Sequence, residues 1–223
     1  MSLMTFMRFL NIFSRHSDIA NQAGYETHET ASSRAPLVII GLGNPGDRYA
    51  QSPHNAGFLV VDLIAQSLGC STQDWQVKYN GLLLQATHAH QKTILFKPQT
   101  YMNKSGDSVA QLLRFYKLDL PEKQAPKTIY VVHDDLDLSL GTNKLTFAKS
   151  GREHNGVNSI NQSLGTKNYW RMRVGVMPEK KPVDPAGYLT KKIEASLREL
   201  FEQSITDAAK ALPTTLPAGP SIA

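Results

Sequence analysis

Leu37-Val38-Ile39-Ile40-Gly41-Leu42-Gly43-Asn44-Pro45-Gly46 is the stretch on which the reading of the fold turns. Four branched apolar residues closed by a glycine are the pattern of a short strand buried on both faces. The glycines at 41, 43 and 46 match G-x-G-x-x-G, the spacing of a dinucleotide-binding turn, but their context does not. Pro45 removes a backbone N–H from the turn that would cradle a pyrophosphate. The chain then passes through polar Asp47-Arg48 and Gln51-Ser52-Pro53 before any helical pattern begins. The acid nearest the required place, about 20 residues on, is Asp62, and it falls inside that helix instead of at a strand end. The stretch therefore reads as a buried strand followed by a polar loop, and a nucleotide-dependent oxidoreductase is disfavoured.

Outward from this strand the pattern alternates. Phe58 to Leu68 has helical apolar spacing and stops at Gly69. Gly81 to Ala86 and Lys92 to Phe96 read as strands around a polar turn. Ser105 caps a helix reaching Tyr116, with Val109, Leu112, Leu113 and Tyr116 on one face. Ile129 to Val132 is a second buried strand, and Lys144 to Phe147 a further one. Val157 to Leu164 reads as a helix, Trp170 to Met177 as a strand, and Tyr188 to Leu212 as one amphipathic helix. Strands alternating with helices predict a single three-layer α/β domain, with a twisted, mostly parallel, mixed sheet and helices on both faces. The domain spans residues 35–212, between an N-terminal extension, 1–34, and a Pro-rich tail, 213–223.

Composition narrows the function. The chain has 223 residues, 41% hydrophobic and 19% charged, enough apolar material for a core. No run approaches the roughly 18 apolar residues of a membrane span, so no membrane association is expected. A single cysteine, Cys70, excludes an internal disulfide and disfavours a Cys-ligated zinc site. The net charge is +5. Arg8, Arg15 and Arg34 are cancelled by Asp18, Glu26 and Glu29, so all of it belongs to residues 35–223, a mild basicity compatible with a polyanionic partner. Residues 1–17 hold two arginines and no acid, the pattern of a transit peptide or of a plain extension. The location is accordingly cytoplasmic, or mitochondrial if that segment is a transit peptide. Removing residues 1–34 is expected to leave activity intact.

Hydrolase signatures are missing one by one. Gly151 to Gly156 has P-loop glycine spacing without the Lys and Ser/Thr that must follow, and neither G-x-S-x-G nor H-E-x-x-H occurs. What remains is a set of Asn and His residues at predicted strand ends and loops: Asn44, His54-Asn55, Asn103, His133-Asp134 closing the strand from Ile129, and His154-Asn155. Strand ends of an open α/β sheet converge on one crevice. A neutral His takes a proton from water, a carboxylate on its other nitrogen fixes the tautomer, and Asn amides grip a peptide or a developing oxyanion. With no activated nucleophile, the set suggests direct attack of water on an activated acyl group. Singly, each residue reads more blandly: Asn44 as turn geometry, Asp134 as a backbone cap, His154 as a hydrogen-bonded buried histidine, His88 and His90 as a solvated loop. From the residues alone, a hydrolase with a His base stands barely ahead of an α/β binding module.

The wording of the motifs is more specific. Gly41 to Gly46 with Tyr49, His54-Asn55-Ala56-Gly57, and Lys97-Pro98-Gln99-Thr100-Tyr101-Met102-Asn103-Lys104-Ser105-Gly106 resemble the bacterial-type peptidyl-tRNA hydrolases. So do His133-Asp134-Asp135-Leu136-Asp137-Leu138, His154-Asn155-Gly156 and Arg171-Met172-Arg173-Val174-Gly175-Val176, in the family's order across about residues 36–205. The resemblance implies a monomeric enzyme that cleaves the ester between a peptide and the 3′ end of tRNA, recycling tRNA from chains that leave translation early. It implies that His54 is the general base and Asp134 its orienting partner. By the same resemblance Asn44 and Asn103 are expected to position the peptide and the attacking water or oxyanion, and Tyr49 and Met102 to wall the site. Asn155 resembles the residue that helps place the substrate near the tRNA terminus, and the resemblance implies no metal or organic cofactor. A non-catalytic RNA-binding or RNA-processing protein on the same scaffold is the alternative.

Lys144, Lys149, Arg152, Arg171 and Arg173 surround these motifs and are candidate contacts to tRNA phosphates. Three features depart from the family pattern. Phe147 to Glu153 carries one glycine where the family has a Gly-rich run, Asp135 replaces a longer Glu, and Pro53 stiffens the approach to His54. None removes a proposed catalytic group.

Overall fold

The structure is a computed structural model that describes residues 35–118, 120, 128–148 and 154–213. The extension 1–34, nearly all of the tail, and the altered loop with Lys149 and Arg152 lie outside the described residues. Among these residues seven strands form one sheet: β1 (Leu37–Gly41), β2 (Gln76–Lys78), β3 (Gly81–His88), β4 (Gln91–Pro98), β5 (Ile129–Ser139), β6 (Asn143–Phe147) and β7 (Trp170–Met177). Their order is β2-β3-β4-β1-β5-β7-β6. β4, β1, β5 and β7 pair in parallel, while β2–β3, β3–β4 and β6–β7 are antiparallel. Among the described residues, five helices accompany the sheet: α1 (Ala56–Ser67), α2 (Ser105–Phe115), α3 (Asn155–Leu164), α4 (Pro185–Thr190) and α5 (Arg198–Ala211). The expected mixed α/β architecture is the observed one.

Strand alternation divides the core into two layers. Leu37, Ile39, Tyr130, Val132, Met172 and Val174 meet Val60, Val61 and Ile64 of α1 and Phe201, Ile205 and Ala208 of α5. Val38, Ile40, Ile94, Phe96 and Val131 meet Val109, Leu112 and Leu113 of α2 and Val157 and Ile160 of α3 on the other face. β1 has no polar residue because it is buried on both faces, each fully buried aliphatic contributing about 1.5–3 kcal/mol. Lys97 sets its ammonium 2.5 Å from Asp62, tying β4 to α1, and 4.4 Å from the centre of the Trp75 ring.

Several elements differ from the sequence reading. Ser105 does not cap the second helix but is its first residue, its hydroxyl donating to the Met102 carbonyl at 2.9 Å. β5 continues to Ser139 instead of closing at His133-Asp134, because β7 goes on pairing with it through Asp135. Tyr188–Leu212 is not one helix: α4 ends at Thr190, and α5 begins at Arg198 after a 3₁₀ turn, Ala195–Leu197. Between them the Ile193 N–H donates to the Gln51 carbonyl at 2.9 Å, a tertiary bond that a continued helix could not make. The exposed three-residue strand β2 was too short and polar to be read.

Candidate active site

β1, β4 and β5 point the same way, so the residues after Gly41 and Pro98 collect at one edge of the sheet, where open α/β folds bind ligands. β1 stops with Gly41 opposite Val132, which leaves His133 and Asp134 beyond its end even though β5 itself runs on. After a first 3₁₀ turn, Asp47–Tyr49, the β1 connection forms a second, Pro53–Asn55, started by the fixed φ of Pro53 and leading directly into α1.

That turn places His54 Nδ1 2.9 Å from Asp134 Oδ1, with both side chains nearly excluded from solvent, 11% and 2% exposed. Burial opposes a positive His54, but the charge and hydrogen bond of Asp134 outweigh it and raise the pKa above the ordinary 6.5. Burial likewise opposes an ionised Asp134, and the charges and hydrogen bonds of His54 and His154 outweigh it. The carboxyl is held well below the usual carboxylate range. An ionised Asp134 can only accept, so neutral His54 carries its hydrogen on Nδ1 and keeps the Nε2 lone pair for a proton from substrate or water.

A second histidine shares the same oxygen. His154 Nε2 lies 2.9 Å from Asp134 Oδ1. His154 also caps α3, its Nδ1 accepting from the N–H groups of Gly156 and Val157 at 3.2 and 3.3 Å. Behind it, His133 is buried with its ring centre 4.7 Å from that of His154. His133 Nδ1 donates to the Asp134 carbonyl at 2.7 Å, and its buried Nε2 has no partner among the described residues. Burial, then the charge of His154, push the His133 pKa down to about 3, so this ring is neutral at physiological pH.

His54, Asp134 and His154 bring three ligand-type atoms within 4.8 Å of one another, close enough to suggest a metal ion. The hydrogen-bond pattern does not fit one. A neutral imidazole bound to metal through Nε2 carries its hydrogen on Nδ1. At His154 that hydrogen would face two backbone N–H donors.

Asparagines build the adjoining wall. Asn55 accepts from the Asn44 N–H at 2.9 Å and donates Nδ2 to the Asn44 carbonyl at 3.0 Å, a two-bond clamp on the Asn44 backbone. Asn44 Oδ1 then accepts from the Met102 N–H at 2.9 Å, which orients its amide and joins the loops after β1 and β4. Met102 is buried, and its sulfur fills the space over Gly156, where a Cβ would come within 2.5 Å of it. Asn103 is exposed on the 3₁₀ turn Met102–Lys104, and Asn155 is exposed as the first residue of α3. Tyr49 is half-buried and held by Arg48, whose guanidinium lies 4.4 Å from its ring centre.

The basic candidates divide. Lys144 is exposed on the edge strand β6. Arg171 and Arg173 are not surface cations: they are 1% and 5% exposed. Arg173 Nε donates to Asp135 at 2.6 Å, and Arg171 Nη2 donates to Asn161 Oδ1 at 3.2 Å beneath the sheet's helical cover. Their expected role as phosphate contacts is withdrawn on that burial. Conversely, the sequence reading placed Asn55 and His154 in the converging set but gave neither a role, although both stand inside the site. Their adjacency to His54 and Asn155 in His-Asn pairs was the available signal.

A family model described as peptidyl-tRNA hydrolase matches residues 38–222. The peptidyl-tRNA hydrolase of Desulfitobacterium hafniense is 40% identical over 172 residues, covering 75% of this chain and 88% of that protein. That of Synechocystis is 38% identical over 181 residues, covering 81% and 90%. The crystal structure of peptidyl-tRNA hydrolase from Acinetobacter baumannii superposes with a TM-score of 0.67 at 30% identity, covering 79% of this chain and 86% of that one.

Proposed function

The chain belongs to the peptidyl-tRNA hydrolase family and is an enzyme that hydrolyses the ester of peptidyl-tRNA, and we propose that it does so by attack of a water deprotonated by His54. The observation that carries the mechanism is the buried 2.9 Å contact between His54 Nδ1 and Asp134. It leaves Nε2 as the proton acceptor. The hydroxide formed adds to the ester carbonyl, and amide hydrogens of Asn44 and Asn103 stabilise the negative oxygen. Collapse of the tetrahedral species breaks the bond to the terminal ribose oxygen, which takes back the proton that His54 holds as imidazolium. One water is consumed, and a peptide acid and a free tRNA hydroxyl are released. Asp134 remains ionised throughout and stabilises the imidazolium.

Met102 and Tyr49 wall the peptide side, and Asn155 meets the tRNA terminus. Lys144 contributes a phosphate contact that weakens as salt rises. Every group of this machinery comes from residues 44–155 of one chain, which supports a monomeric enzyme whose activity belongs to residues 35–212. The intact His54–Asp134 pair disfavours the alternative of a scaffold that only binds RNA.

The test is release of labelled peptide from N-blocked aminoacyl-tRNA by the natural chain and by His54→Ala. Turnover falls by about three orders of magnitude or more, the scale of losing a general base, while tRNA binding is retained. Full turnover in His54→Ala would sink the mechanism.

A further inference from the structure

His154 stands in contact with the pair without any place in the proton transfer. Its hydrogen bonds fix what it does there. Gly156 and Val157 aim their backbone N–H groups at Nδ1, so Nδ1 is the acceptor of the ring and the hydrogen sits on Nε2. That hydrogen points at Asp134 Oδ1, the atom to which His54 also donates. The N-terminus of α3 thus dictates a tautomer, and the tautomer supplies a second donor to the carboxylate oxygen behind the base. We propose that His154 is a positioning residue of the peptidyl-tRNA hydrolase reaction, a tautomer-locked donor that orients Asp134 and divides its hydrogen-bonding capacity with His54.

The inference rests on the hydrolase reading. Its consequence for the base follows from sharing. With Oδ1 given wholly to His54, the imidazolium would be held more firmly and a smaller fraction of His54 would be neutral near pH 7. Shared with His154, the oxygen still orients His54 but holds its proton less tightly. The groups set around His54 are Asp134 on β5, His154 at the start of α3, and His133, which meets the His154 ring edge to face. On α1, Asp62 is engaged by Lys97. On α4, which packs against the Pro53–Asn55 turn, Tyr188 turns its hydroxyl to the Val176 carbonyl, and the C-cap position is Lys191.

Two substitutions separate positioning from capping. Asn carries its amide oxygen where the imidazole has Nδ1, so His154→Asn keeps the helix cap but stops one atom short of Asp134. Gln reaches as far as Nε2, so His154→Gln restores a donor to Asp134 and loses the cap. Three quantities are read in the full chain: kcat on N-blocked aminoacyl-tRNA, the acidic limb of its pH profile, and the titration of the His54 ring by NMR. In His154→Asn, kcat falls about tenfold to a hundredfold, the scale of a misplaced reacting group. The acidic limb and the His54 titration both move to higher pH. His154→Gln recovers much of the lost kcat and moves both midpoints back.

An unmoved His54 titration in His154→Asn overturns the inference, whatever happens to kcat, because a merely structural role would lower turnover without that shift. His154→Gln as impaired as His154→Asn overturns it as well. No turnover by the natural chain would instead defeat the hydrolase reading, and the NMR titration would still judge whether His154 shares the carboxylate.

Discussion

Asn55 shows how much of this site depends on one neutral side chain. Its amide makes both a donated and an accepted bond to the Asn44 backbone, and Asn44 in turn holds the Met102 N–H. Asn55→Ala leaves a buried N–H and a buried carbonyl unpaired, each costing about 1–3 kcal/mol. The expected result is a urea midpoint lowered accordingly, with a fall in turnover larger than any change in tRNA affinity. A variant as stable and active as the natural chain would mean that the loop after β1 holds its own shape. This bond pattern was not legible in the sequence, where Asn44 and Asn55 are eleven residues apart and each reads as a plausible turn or cap residue. His54 and Asp134 were legible because their chemistry is rare as well as their placement. His154 was seen and set aside because a buried histidine usually has a bland explanation, and the second bond to Asp134 exists only in three dimensions.

At the scale of elements, α1 lies unusually close to the strands beneath it. A Cβ on Gly57 would come within 2.3 Å of the Val132 carbonyl oxygen and 2.4 Å of the Leu42 nitrogen, all backbone and unable to yield. Gly57→Ala therefore costs about 3 kcal/mol or more through overpacking, and it displaces the turn that holds His54. Gly165→Ala is the comparison: its Cβ meets nothing within 4 Å, and its φ of +65° costs about 1–2 kcal/mol. Equal losses in urea denaturation would refute the close-approach argument. The strands and helices that pack on both faces were readable from period and punctuation, because burial imposes the period. The break between α4 and α5 was not, because the residues from Tyr188 to Leu212 keep an amphipathic pattern across it. What interrupts the helix is the Ile193–Gln51 bond to another part of the chain.

Across the whole molecule the buried histidines set the response to acid. His133 titrates at about 3 when folded and near 6.5 when unfolded, so the unfolded chain binds the extra proton between those values. Stability is fully present above pH 6.5 and falls on acidification by about 1.4 kcal/mol per pH unit within that window. His54 has the opposite sign: its raised pKa stabilises below pH 6.5, and that contribution is lost as pH rises through the folded value. Urea midpoints are therefore expected to drop between pH 6.5 and 4.5, with a shallower drop in His133→Leu; an identical slope would assign the loss to another group. The overall architecture was legible because strand and helix patterns alternate through residues 35–212, whereas burial of Arg171 and Arg173 was hidden, since an arginine in a strand looks the same whether it faces solvent or a partner.

The bond from Ile193 to Gln51 reaches from the C-terminal helices to a carbonyl just before the turn that carries His54, and β5, which carries Asp134, is completed on one side by β7. Synthesis runs from the N-terminus, and a domain folds when its pieces have emerged. His54 and Asp134 leave the ribosome before the strand and the anchor that fix them, which come from residues 170–193. The geometry around His54 and Asp134 is thus complete only after residues 170–193 have emerged, so a protein that hydrolyses peptidyl-tRNA is itself held on tRNA while its own site still lacks its supports.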